Sequence, residues 1–318
     1  MNQHCTFVSL IYEIHSQKKA GKKPALPMDF ERTESMWMNF YGLGKFETLS
    51  FLYTECKSPE HLEEWIINRK GQDFTDEAAL KFRAWQNAQE SIDTNSSDYP
   101  QTLFPEQLQF WEQNGYLVIP QVVEAALCDQ VKTQICQHLK LDLLRPETWY
   151  TPHPDWQGIM LQLYQNKEME QIRYHDGVKE KFAELYQSTE LIPNTEKVGY
   201  HPPETQGYTL RNGSLHWDLD LSRPIPFHIQ GLVYLDDVPE ERGPLQVVPG
   251  FHRHFEDWMK PFSSLDTAHQ HMLATETAKP ASGKKGDLVL WLNTLPHSAG
   301  RNQSDLPRFV QYVSFNKL

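Results

Sequence analysis

Between Tyr208 and Phe315 the sequence breaks into short apolar runs separated by Gly, Pro and Asn, and this punctuation constrains the fold most. The runs are Tyr208–Asn212, Leu215–Leu219, Phe227–Leu235, Leu245–Val248, Asp287–Leu292 and Phe309–Phe315. Short runs bounded by turn residues predict strands, and many of them in succession predict a β-sandwich or barrel. With 39% apolar residues and nine Trp, the 318-residue chain can bury a sizeable core. Disorder is excluded as its main state.

The residues before these runs follow a helical period. Ser58-Pro59 predicts a helix start, with Ser as N-cap and Pro at the first helical position. Leu62, Trp65 and Ile66 then recur at i, i+3 and i+4, and the stripe stops near Gly71. A second helix is expected from about Thr75 to Ile92. The polar stretch Asp93–Pro105 predicts a linker, dividing the chain into a helical segment, 1–100, and a domain, 101–318. The first segment carries no chemical motif. In the second, a helix stopping at Gly115 leads into a strand at Tyr116–Ile119, and a further helix ends near Lys140. The stretch 145–208 is rich in Trp, Tyr, His and Pro but lacks periodicity, fitting either a lid or an outer packing layer.

A net charge of −12 argues against a nucleic-acid partner, which requires a basic face. No apolar stretch approaches the ~20 residues that span a bilayer, and Glu13 interrupts the only apolar run near the start. Cys5, Cys56, Cys128 and Cys136 have no metal-ligand or disulfide-framework spacing, so free thiols and a cytoplasmic location are expected.

Chemistry concentrates in Leu215-His216-Trp217-Asp218-Leu219. On a strand, His216 and Asp218 at i and i+2 point to one side, giving an imidazole and a carboxylate side by side. Two His and one carboxylate on one face of an ion leave three positions open, the arrangement of non-haem Fe(II) oxygenases. His297 fits the third position, because it follows the apolar run Asp287–Leu292 and its turn. The alternatives, His252, His254, His269 and His271, lie in a polar, loop-like stretch. Arg308 then opens the last strand, sharing a face with Val310, Tyr312 and Ser314. A guanidinium buried there needs an anionic partner, and its fork matches a carboxylate bidentately.

From about Leu103 to the C-terminus the sequence resembles the phytanoyl-CoA dioxygenase family of Fe(II)/2-oxoglutarate oxygenases. The resemblance rests on the run from Phe110 to Pro120, on His216-Trp217-Asp218, on the run from Gly243 to His252, and on His297 followed by Arg308. Phe251 departs from the pattern, where the family usually has Ser in the Pro-Gly-x-His turn. The resemblance implies a double-stranded β-helix (jelly-roll, cupin-like) with packed helices. It implies Fe(II) held by His216, Asp218 and His297, and 2-oxoglutarate anchored by Arg308. O2 is then the oxidant, a C–H bond of a small-molecule substrate is oxidised, and succinate and CO2 are the coproducts. Hydroxylation is the default outcome, while desaturation and ring closure use the same residues. Arg211, Arg223, Tyr208 and His228 flank the motif as candidate substrate contacts, and Arg301 is a candidate second cosubstrate contact. Two other readings stand beside this one: a non-catalytic β-sandwich that binds a small molecule or protein, and a cupin-like metal enzyme without 2-oxoglutarate.

Overall fold

The computed structural model describes residues 4–88, 99–210, 213–219 and 225–318, which form two compact units. In the first, α1 (His4–Lys19), α2 (Phe30–Phe40), α3 (Lys45–Thr54), α4 (Pro59–Lys70) and α5 (Gln72–Ala88) enclose an aromatic core. The Ser58 side chain caps α4 by accepting the His61 N–H at 3.2 Å, with Pro59 in the first turn. Leu62 and Ile66 are buried, and Trp65 stacks on Phe51 at 4.7 Å. Residues 190–196, which include the short strand Leu191–Pro193, and 316–318 also belong to this unit, where Leu318 donates its N–H to the Glu190 carbonyl.

The second unit opens with α6 (Pro105–Asn114), β1 (Tyr116–Ile119) and α7 (Ala125–Leu139). The stretch that lacks periodicity then forms β2 (Trp156–Gln157), β3 (Met160–Leu161), α8 (Lys167–Arg173), α9 (Asp176–Tyr186) and, after β4 (Leu191–Pro193), β5 (Val198–His201). The remaining strands are β6 (Ile229–Tyr234), β7 (Leu245–Val247), β8 (Lys279–Ala281), β9 (Leu288–Leu292), β10 (His297–Ala299) and β11 (Arg308–Lys317). Two short helices, α10 (Phe255–Met259) and α11 (Leu265–Thr275), lie between β7 and β8. The strands make two antiparallel sheets. One runs in the order β1-β9-β6-β11-β5-β3-β2 and the other in the order β10-β7-β8. No helix among the described residues is long and apolar enough to cross a membrane.

Strand alternation divides the large sheet into two faces. On one, α9 seats Phe182 against Phe315 at 4.8 Å. The Tyr186 hydroxyl there accepts the Ile229 N–H and donates to the Phe315 carbonyl. The other face carries Gln230, Leu232 and Tyr234 of β6, opposite Ser314, Tyr312 and Val310 of β11. Arg308 shares that face, opposite His201 of β5.

The expected strand at Leu215–Leu219 is not a regular strand. It pairs only through an isolated bridge between His216 and His297. Its neighbour β10 is three residues long and follows Pro296, which has no N–H to extend a ladder. Tyr208 likewise lies in an isolated bridge, with Thr205, and residues 211–212 are outside the described residues.

Gly115 ends α6 in the left-handed conformation, with φ at 73°. A Cβ there would run into the His252 imidazole, whose Nε2 donates to the Glu112 carbonyl. Gly115→Ala is therefore expected to destabilise the second unit by roughly 1–3 kcal/mol, from backbone strain plus the clash. Chemical denaturation checks this, and a value within experimental error of wild type would show that the turn relaxes freely.

Candidate metal centre

Trp217 anchors the short segment that carries the first two donors. Its indole is buried among Phe251, Phe255 and Trp258, with centroids 5.7–5.9 Å away, and its N–H donates to the Thr294 carbonyl at 3.1 Å. Alternation then sends His216 and Asp218 to the opposite side. His216 and His297 exchange both backbone hydrogen bonds at 2.9 Å, which brings their rings to 4.6 Å. Asp218 Oδ1 lies 3.9 Å from His216 Nε2, and Oδ2 lies 3.4 Å from His297 Nε2. One ligand atom from each residue falls within 4.8 Å of the others. The three form a metal-binding triad.

Both imidazoles are oriented by the chain itself. His216 Nδ1 bonds the Ser214 carbonyl at 2.9 Å, and His297 Nδ1 bonds the Leu295 carbonyl at 3.1 Å. A carbonyl only accepts, so each Nδ1 carries a proton and each Nε2 is turned to the centre. Burial, then the neighbouring His297, push the His216 pKa down, which favours the neutral ligand form. Asp218, 57% exposed at the mouth of the site, is held well below the usual carboxylate range. Its hydrogen bond to His297 is the first cause, and the Gln230 amide, donating to Oδ2 at 2.8 Å, adds to it. A cation held by the three residues would take the place of the contact between His297 Nε2 and the carboxylate.

The face of the large sheet that carries Gln230 also holds buried polar atoms without a hydrogen-bond partner among the described residues. They are Gln230 Oε1, Trp291 Nε1, Arg308 Nε and both ring nitrogens of His201. Arg308 is 1% exposed and meets no carboxylate within 4 Å among the described residues. One guanidinium nitrogen donates to the carbonyl of Gly243, just before β7, and β7 pairs with His297. Burial first, then Arg308, push the His201 pKa down to about 3, so His201 adds no charge beside the guanidinium. A buried polar atom left unpaired costs roughly 1–3 kcal/mol, so this set fits a polar, anionic small molecule. An ion at the triad and a carboxylate at Arg308 match the donors present.

Residues 111–310 match the phytanoyl-CoA dioxygenase (PhyH) family. The chain belongs to that family. It is 22% identical over 229 residues to the methylphosphonate hydroxylase of Gimesia maris, across 68% of this chain and 82% of that one. A Dictyostelium discoideum relative carrying the family name is 31% identical over 90 residues, where the match spans 27% of this chain and 26% of that protein. Among solved structures, the chain is similar to the non-heme alpha-ketoglutarate-dependent epimerase SnoN from nogalamycin biosynthesis. That likeness is 19% identical, with a TM-score of 0.50, over 67% of this chain and 81% of that chain. The carbocyclase SnoK from the same biosynthesis gives 18% identity and a TM-score of 0.50, over 67% and 84%. These two likenesses speak for the fold, a mixed α+β architecture with two antiparallel sheets. As a phytanoyl-CoA dioxygenase family member with a metal-binding triad, the protein is an enzyme of the Fe(II)/2-oxoglutarate-dependent oxygenase class, which acts on small molecules.

The other candidate residues of this family member lie outside the triad. Tyr208 stacks on Trp156 at 5.8 Å and meets the Tyr150 ring at 5.6 Å. His228 Nδ1 lies 3.1 Å from the Tyr186 hydroxyl. Arg211 and Arg223 lie outside the described residues. Arg301 is exposed and paired with Glu204 at 2.6 Å, which places it at the surface. Of the alternative histidines, His252 holds the α6 turn, His269 bonds the Leu215 carbonyl, and His254 and His271 pack against Phe251 and Trp258. Gln230, Trp291 and His201 escaped the sequence reading. One signal was present: Gln230 is the single polar residue within the apolar run Ile229–Tyr234.

Proposed function

We propose that this protein oxidises a C–H bond of a small organic molecule, with His216, Asp218 and His297 holding Fe(II) and Arg308 binding the far carboxylate of 2-oxoglutarate. One observation carries the reading: an imidazole–imidazole–carboxylate set, pre-oriented by backbone carbonyls, stands with a buried guanidinium that has no anionic partner among the described residues. When bound, Fe(II) and 2-oxoglutarate supply O2 activation, with succinate and CO2 as coproducts. The chain's own contribution is positional. The triad would hold the ion from one side, leaving the other side for cosubstrate and O2. Arg308 fixes the cosubstrate at its far end, and neutral His201 leaves that attraction undiluted by a second charge. We read the two sheets as the halves of a double-stranded β-helix, with the His216 segment bridged to β10 of the smaller one.

Hydroxylation is the outcome we propose, with Tyr208, His228, Arg211 and Arg223 as candidate substrate contacts. The charge of −12 favours a compact substrate over a polyanionic CoA thioester, and the relative named methylphosphonate hydroxylase makes a small acid a reasonable first probe. Cys56, Cys128 and Cys136 are free, which supports a reducing, cytoplasmic setting.

The test is succinate release from 2-oxoglutarate with Fe(II), ascorbate and O2, across small organic acids including methylphosphonate, amino acids and acyl-CoA thioesters. Slow release without substrate, accelerated several-fold by a compact acid or amino acid and lost in Asp218→Ala, is the expected result. Release no faster than iron alone across the whole panel would favour the non-catalytic binding protein. Acceleration by CoA thioesters alone would overturn the charge argument.

A further inference from the structure

A second group of donors stands apart from the triad. His138 lies in the last turn of α7, and His153 and Asp155 precede β2. His138 Nε2 is 2.9 Å from Asp155 Oδ2, and His153 Nδ1 is 3.7 Å from the same oxygen. The two rings lie 4.8 Å apart, and one ligand atom from each residue falls within 4.8 Å of the others. Four-coordinate Zn2+, at about 2.0–2.2 Å from N and O ligands, requires ligand–ligand separations of roughly 3.3–3.5 Å. The two separations from Asp155 Oδ2 lie on either side of that range.

The protonation pattern points to a cation as well. His153 Nδ1 accepts the N–H of Asp155 at 3.2 Å, and a backbone N–H only donates. Nδ1 therefore carries a lone pair, which the Asp155 N–H engages, while the Asp155 Oδ2 acceptor stands 3.7 Å away. Among the described residues, no Lys or Arg nitrogen lies within 4 Å of that carboxylate. His138 can supply one proton to Oδ2. A divalent ion held by all three residues would displace that proton and take the place of the Asp155 N–H at His153 Nδ1.

We infer that His138, His153 and Asp155 form a second divalent-metal site, for an ion of the Zn2+, Co2+ or Ni2+ type. Two imidazoles and one carboxylate suit these borderline ions, whereas Mg2+ and Ca2+ prefer all-oxygen shells. All three residues are partly exposed, so an ion can enter from solvent and water can complete its coordination. The elements involved contribute nothing to the triad. The ion's role is that of a staple, tying the end of α7 to the segment that leads into Trp156 and the β2–β3 hairpin.

Zn2+ alone is the probe, measured by equilibrium dialysis and metal analysis on the full-length protein. Wild type is expected to bind two ions per chain, and the double variant His216→Ala, His297→Ala to keep one. Adding His153→Gln to that double variant should weaken the remaining site about 100-fold or more, the scale of losing one of three ligands. Zn2+ should also raise the melting temperature of the double variant and leave that of the triple variant unchanged. If the triad reading were wrong, wild type would bind one ion and His153→Gln alone would remove it, which still supports the second site. Equal Zn2+ stoichiometry and affinity with and without His153→Gln, His138→Gln or Asp155→Asn overturns it, as does a double variant whose melting temperature ignores saturating Zn2+.

Discussion

His297→Ala is expected to lose nearly all Fe(II) under conditions that saturate wild type. Structural ions bound by about four ligands are worth roughly 10–16 kcal/mol, so one ligand accounts for about 3 kcal/mol and a loss on the order of 100- to 1,000-fold in affinity. His297 is the most buried of the three donors, and its Nδ1 bond to the Leu295 carbonyl turns Nε2 to the centre before any ion arrives. The alternative histidines His252 and His269 are engaged elsewhere. Metal titration of His216→Ala, His297→Ala and His252→Ala separates the possibilities, with far-UV circular dichroism as the folding control. Full occupancy in the first two variants together with loss in His252→Ala would refute the ligand set.

Arg308→Ala should raise the 2-oxoglutarate requirement by two or more orders of magnitude and leave Fe(II) content unchanged. Breaking a buried charge pair from one side typically costs about 3–5 kcal/mol. Here the guanidinium is buried, and its one side-chain hydrogen bond among the described residues, to the Gly243 carbonyl, leaves most of the fork for a ligand. Arg308→Lys should recover only part of the loss, since an ammonium cannot make two parallel bonds to a carboxylate. Direct 2-oxoglutarate binding by calorimetry on the metal-loaded protein is the measurement. Affinity equal to wild type in Arg308→Ala would move the anchor elsewhere. Arg301 offers no ready substitute, being exposed and already paired with Glu204.

The parts legible in the sequence were those written in local pattern. Gly115 stops α6 because only a residue free to adopt positive φ fits there, and Ser58-Pro59 opens α4 by satisfying its first N–H groups. The runs at Phe227–Leu235, Leu245–Val248, Asp287–Leu292 and Phe309–Phe315 correspond to β6, β7, β9 and β11 within a few residues, since buried strands must be apolar and end at turns. The stretch 145–208 gave no such signal because its strands are two to four residues long, too short for a period to show.

The His-x-Asp motif, the later His and the following Arg, in that order, were enough to point to a family and its chemistry. What the sequence by itself determined is which side chains were available for that chemistry. The tertiary structure alone decided how they meet. His216 reaches His297 through one isolated bridge, whose partner is far along the chain, and no local periodicity encodes such a pairing. Cross-strand register put His201 beside Arg308 and Trp291 beside Gln230, and so selected the face on which buried polar atoms stand without partners. Residues 190–196 and 316–318 join the N-terminal helices for the same reason: burial is settled by which surfaces pack together, and packing takes no account of distance along the chain.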